Sequence, residues 1–140
     1  MSPPIAVLDT NIVLDWLVFG DPSAAALADA VVSARLRWLA CTSMRIEAER
    51  VLTREALSRW RPDATAVLSR WDATAQPVEE PPPGPLSLRC SDPDDQVFLD
   101  LAIAHRAAWL FTRDRALLRL ARRAQSFGVT IRPARGWAMA

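Results

Sequence analysis

Four acids of this 140-residue chain, Asp9, Glu47, Asp95 and Asp114, stand where apolar runs give way to other structure. Asp9 closes IAVL, Glu47 follows RWLACT by a few residues, Asp95 opens QVFLDLAIA, and Asp114 follows WLFT. Carboxylates gathered at one place repel and raise one another's proton affinity. They persist at low cost only if protonated, paired with Arg or neutralised by cations. An oxygen-only ligand set selects hard ions, Mg²⁺ or Mn²⁺, over zinc. Such ions orient a water for in-line attack on a phosphodiester and stabilise the departing oxygen, so no covalent nucleophile is required.

The other reactive side chains narrow the chemistry. His105 is the one histidine, set deep in the helical pattern after the acidic cluster, which argues against general acid–base cleavage by paired histidines. Cys41 and Cys90 lack metal-type spacing and read as buried thiols. All 17 basic residues are Arg, and the absence of Lys excludes phosphoaspartyl phosphotransferases and response-regulator receivers, which also place an Asp at a strand end but need a lysine. With 16 acids against 17 bases, net charge gives no general attraction to nucleic acid, and phosphate binding must come from local arginines. Arg45, Arg89, Arg113 and Arg115 are the sequence neighbours of the acids and the candidates for substrate binding. Trp60 and Trp71, interleaved with Arg59, Arg61 and Arg70, offer either a stacking surface for bases or half-buried packing between helices. Any single acid at a helix start reads as a cap, as do Asp92 and Asp94, while Asp15, Asp21, Asp29, Glu49, Glu55 and Asp72 read as solvated helix charges. The metal reading rests on coincidence of positions.

That coincidence depends on alternating strands and helices. Residues 5–9 read as a buried central strand ending in Asp9, followed by a helix that stops near Gly20. Asp21-Pro22-Ser23 opens a second helix, RWLACT (37–42) is a second strand, and Ser43 caps the amphipathic helix carrying Glu47. A helix follows Pro62, and QPVEEPPPGPLSLRCSDP is a proline-rich loop ending at the acids. The helix from Asp94, the strand WLFT (109–112), one long helix RALLRLARRAQ and the strand VTIRP complete the chain. Alternation of this kind gives a parallel sheet with helices on both faces, in one domain spanning 1–140. Ligands of such sheets bind beyond the carboxyl ends of the strands. Trp16, Trp38 and Trp109 are expected in the core and Trp137 as an anchor for the tail, and the Ala-rich helix at 23–34 suits close packing within or between subunits. No signal peptide or membrane span is visible, so a cytoplasmic protein is expected.

The chain resembles the PIN-domain family, and within it the bacterial toxin components of toxin–antitoxin systems. The resemblance is carried by VLDTNIVL around Asp9, IEAERVL with Glu47, DPDDQVFLDLAIA with Asp95 and LFTRDRALL with Asp114, in that order and spacing. It implies a three-layer α/β/α sandwich with a mainly parallel five-stranded sheet. It also implies Mg²⁺- or Mn²⁺-dependent endonucleolytic cleavage of single-stranded RNA, a small antitoxin partner and a homodimer or higher homo-oligomer. Asp9, Glu47, Asp95 and Asp114 match the family's acidic site and its metal ligands, Asp92 matches an additional acid, and Asn11 and Thr112 match its supporting polar positions. The alternative is a PIN fold that keeps its acids but serves as a nucleic-acid- or protein-binding regulatory module. Two departures stand out: Ser91 precedes Asp-Pro where relatives commonly carry Arg, and Gln96 follows the acidic pair where Asn is usual. Neither removes a candidate ligand, but a missing Arg can mean a missing phosphate clamp or carboxylate partner.

Overall fold

The short apolar runs become strands in the computed structural model, which describes residues 2–60 and 62–139. Strands β1 (Ile5–Leu8), β2 (Arg37–Cys41), β3 (Gln76–Val78), β4 (Trp109–Phe111) and β5 (Thr130–Arg132) form one parallel sheet in the order β3-β2-β1-β4-β5. Helices α1 (Thr10–Leu17), α2 (Ala25–Val32), α3 (Thr42–Leu52), α4 (Ala64–Thr74), α5 (Gln96–Ala104), α6 (Arg115–Leu118) and α7 (Ala121–Gln125) connect them. Successive residues of β1 point to opposite faces, yet Ala6, Val7 and Leu8 are all buried, so both faces are covered and the architecture is the expected α/β/α sandwich. Strand order turns back between β1 and β4, the place where parallel sheets of this kind open a crevice at their carboxyl ends.

Register decides which residues meet there. Leu8 pairs with Phe111, and the Asp9 amide donates to the Phe111 carbonyl at 3.0 Å, which sets Asp9 beside Thr112. Beneath this rim Trp38 is sandwiched between Trp16 and Trp71, with ring centroids 5.6 and 4.7 Å away. Trp137 packs edge-on against Trp109 and Phe111 and so ties the tail to β4. Cys41 and Cys90 are buried free thiols. Among the described residues, no helix is long and apolar enough to cross a membrane.

Several local expectations need correcting. The proline-rich stretch begins with a strand, because Gln76-Pro77-Val78 pairs with β2 at the sheet edge, where Pro is tolerated. Ser43 does not cap α3. That helix starts at Thr42, Cys41 supplies no side-chain acceptor, and the Ser43 amide is satisfied instead by Glu80 Oε2 at 3.1 Å. The expected last helix is interrupted at Arg119–Leu120 into α6 and α7, and the segment opened by Asp21 runs first as a 3₁₀ turn, Pro22–Ala24. Asp15 is not solvated: it is 5% exposed and accepts from both Nε and Nη2 of Arg113. Trp71 is buried, whereas Trp60 is about half exposed, edge-on to Phe19 and beneath Arg59; Arg61 lies outside the described residues.

Candidate metal centre

At the carboxyl rim Asp9 is the N-cap of α1 and only 3% exposed. Its Oδ1 accepts from the Asn11 amide at 3.4 Å and its Oδ2 from the Thr112 hydroxyl at 2.7 Å. Burial pushes the Asp9 carboxyl above its ordinary range, against these hydrogen bonds, and the charge of Asp114 adds to the rise. Thr112, fully buried just past β4, uses the same hydroxyl to accept from the Asp114 amide at 3.0 Å. A single oxygen thereby fixes two acids separated by more than a hundred residues. Asp114 caps α6 through the Ala116 amide at 2.8 Å.

Asp95 ends the 3₁₀ turn Pro93–Asp95 that leads into α5, with Asp92 capping that turn through the Asp94 amide at 3.0 Å. One ligand oxygen from each of Asp92, Asp95 and Asp114 lies within 4.8 Å of the others. Burial raises the Asp95 carboxyl to about 7, reinforced by its hydrogen bond to Asp114 and by the negative charge of Asp9, Asp114 and Asp92. Its Oδ2 is buried without a hydrogen-bond partner, and so is the hydroxyl of Thr10. Leaving such a group unmatched costs about 1–3 kcal/mol. A hard cation bound by oxygen atoms fits this set: it satisfies orphaned oxygens and removes the repulsion together.

Glu47 stands across the cleft rather than within the tight trio. A cleft of about 140 Å³ brings Asp9, Asn11, Glu47, Arg54, Asp94 and Asp95 to one lining. Arg50 and Arg54 approach Glu47 at 3.7 Å each. The structure thus gathers all four expected acids, with Asp92, Asn11 and Thr112, around one rim. His105 sits at the opposite end of α5, as its C-cap.

None of the four arginines expected near substrate lines the acidic cleft itself. Arg45 is two residues from Glu47 on α3 and therefore faces elsewhere, forming a forked pair with Asp72 at 2.8 and 2.9 Å. Arg89 donates to the Gly84 carbonyl, Arg113 pairs with Asp15, and Arg115 is exposed in the first turn of α6. Arg54 is the cation that lines the acidic cleft. It lies seven residues after Glu47 but two past the end of α3 at Leu52, so helical periodicity does not reach it.

Gln96, the unusual residue after the acidic pair, braces the segment that carries Asp92 and Asp95. Its Oε1 accepts from the Cys90 amide at 2.6 Å, while Nε2 donates to the Leu88 carbonyl at 2.9 Å and to Asp100 Oδ1 at 2.8 Å. Asp100, itself buried, also accepts from the Gly84 amide at 3.1 Å, and a Cβ at Gly84 would meet that carboxylate oxygen at 2.8 Å. Gln96 and Asp100 together thus pin residues 84–90 onto α5.

Comparison with known proteins agrees with this arrangement. The PIN domain family model matches residues 6–116. Among solved structures, the chain is similar to the crystal structure of VapBC2 from Rickettsia felis bound to a DNA fragment from their promoter. The TM-score is 0.62 at 11% sequence identity, with 91% of this chain and 96% of that chain covered. No curated protein matches the chain in sequence. The family match spans most of the chain and takes in every acid of the rim, and the chain belongs to the PIN-domain family.

Proposed function

We propose that the protein is a Mg²⁺- or Mn²⁺-dependent endoribonuclease that cleaves single-stranded RNA, with Asp9, Glu47, Asp95 and Asp114 as its catalytic acids. The observation that carries this reading is the buried, unpartnered Asp95 Oδ2 set among carboxylates on a rim otherwise tied together by Thr112. Asp9, Asp95 and Asp114 hold the ion, Asp92 is a further ligand, and Glu47 completes the site from α3. When bound, a divalent ion supplies Lewis acidity toward the phosphodiester and activation of a water for in-line attack. Thr112 holds Asp9 in orientation through its hydroxyl, and Asn11 does so through its backbone N–H. Arg54, on the cleft wall and only loosely paired with Glu47, is placed to meet a substrate phosphate.

The test is cleavage of a fluorescent single-stranded RNA by purified protein with Mn²⁺ or Mg²⁺. Activity is expected to vanish in EDTA and to fall at least a hundredfold in Asp9→Asn and Asp95→Asn. Metal-dependent cleavage unchanged in both variants would sink the assignment.

The biological role we propose is that of the toxin of a type II toxin–antitoxin pair, acting in the cytoplasm as a homodimer or higher homo-oligomer under control of a small antitoxin protein. The motif resemblance supports this, as does the shared fold with VapBC2. Expression alone is then expected to slow growth, and the small protein encoded beside it to relieve the arrest. Harmless expression of soluble protein argues for a regulatory module instead.

A further inference from the structure

Beside the acidic cleft, at the same carboxyl rim, lies a larger space of about 660 Å³. Its size falls in the range of about 300–1,000 Å³ typical of ligand sites. The two spaces share a partition. Ile12 on the cavity wall follows Asn11 of the cleft, and Arg113 stands in the chain between Thr112, which holds Asp9, and Asp114. Beyond the partition, residues 133–136 leave β5 and close the far side.

The lining combines an apolar surface with two arginines and two acids. Ile12, Pro22, Pro133 and Ala134 provide the apolar part. Arg113 is locked by its forked pair with the buried Asp15, through Nε at 3.0 Å and Nη2 at 3.1 Å. That leaves Nη1 outside the pair, on a guanidinium that needs no reordering to bind an anion. Arg135 is exposed on the lining and has no ion pair among the described residues. Its segment is braced from behind, since Arg132 donates to the carbonyls of Pro133 and Arg135 at 3.1 and 3.2 Å. Two acids face the same space. Asp15 and Arg113 offset one another's charge, and Asp21 stays anionic, its carboxyl held below the ordinary range by the Ser23 amide at 2.9 Å and by the charges of Arg113 and Arg135.

From this geometry we infer that the cavity is a nucleotide subsite: it receives the RNA unit beside the scissile bond, with a backbone phosphate on Arg113 Nη1 and Arg135 and the base or ribose against the apolar wall. The inference rests on the acidic rim being the nuclease centre. A strand lying across the partition then passes directly from the acids into this space, which the small cleft alone cannot hold.

The test is fluorescence anisotropy with a random-sequence, fluorescein-labelled RNA decamer in EDTA, on full-length Asp95→Asn protein, so that binding is read without hydrolysis. Adding Arg135→Glu is expected to weaken binding at least tenfold and to lower the slope of log affinity against log salt by about 0.7, the signature of one lost phosphate contact on a single strand. Arg135→Lys should stay within about threefold, and Arg122→Glu, the same charge change on α7, should match its parent. Affinity and salt slope unchanged by Arg135→Glu, or changed equally by Arg122→Glu, would overturn the subsite. The same holds if Arg135→Glu spares RNA binding and instead releases a protein partner. The nuclease reading fails separately: if the wild type does not cut RNA with metal while the Arg135 dependence persists, the subsite stands and the catalytic assignment falls.

Discussion

Replacing Asp95 by Asn is expected to stabilise the metal-free protein at pH 8 while removing its response to metal. The Asp95 carboxyl has a folded-state pKa of about 7 against an ordinary 3.8. The folded chain therefore holds a proton in this window that the unfolded chain releases. Stability from this site is fully present below about 3.8 and is lost as pH rises through about 7, the direction required when the native state binds more protons. At about 1.4 kcal/mol for each tenfold change in proton affinity, the loss at pH 8 is at most about 4 kcal/mol. Asp95 is only part-buried, and solvent screening reduces the figure to about 1–2 kcal/mol. Asn keeps the shape and removes the charge, so its Tm in EDTA should exceed that of the wild type by about 3–7 °C at pH 8, and the gap should shrink to about a third of that at pH 5. Excess Mn²⁺ should reverse the order, since free ligand at a hundred times its Kd adds about 2.7 kcal/mol to the form that binds it. Differential scanning fluorimetry at the two pH values, with and without Mn²⁺, checks all of this. A variant less stable than wild type at pH 8 in EDTA, or one with the same advantage at both pH values, would refute the reasoning.

Three further outcomes follow from particular contacts. Gln96→Ala should loosen residues 84–90 and speed thiol labelling of Cys90 at least tenfold while leaving Cys41 slow, and it should weaken Mn²⁺ binding; equal labelling of both cysteines at wild-type rates would contradict the bracing role. Arg113→Ala strands the buried Asp15 and is expected to cost about 2 kcal/mol in urea denaturation, a loss largely restored by adding Asp15→Asn. Arg54→Ala should raise KM for RNA about tenfold, whereas Arg45→Ala, whose guanidinium is engaged by Asp72, should leave KM within about twofold.

The central strand and its acid were legible because IAVLD is a short uninterrupted apolar run, too brief for a buried helix, with a charge at its end. The acids at 47, 95 and 114 were legible for a related reason: each lies close to a strand end or helix start, and parallel sheets gather those points at one rim. Strand β3 was not, since Gln76-Pro77-Val78 has neither apolar continuity nor alternation and owes its conformation to the open edge of β2. The pair between Asp15 and Arg113 joins residues 98 apart, and the apolar side of α1 gives no sign that an acid within it meets a partner from beyond β4. Proximity in sequence does not find the arginine of the acidic cleft: Arg45, two residues from Glu47 on α3, turns away to Asp72, whereas Arg54, beyond the end of α3, comes back against Glu47.

The most direct measurement is anomalous diffraction at the manganese edge from crystals of the wild type soaked in Mn²⁺. A peak bounded by Asp9, Asp95 and Asp114, within coordination distance of Asp95 Oδ2 and absent from Asp95→Asn crystals, is the predicted result. Manganese bound elsewhere, with the acidic rim empty in protein that cleaves RNA, would contradict the account.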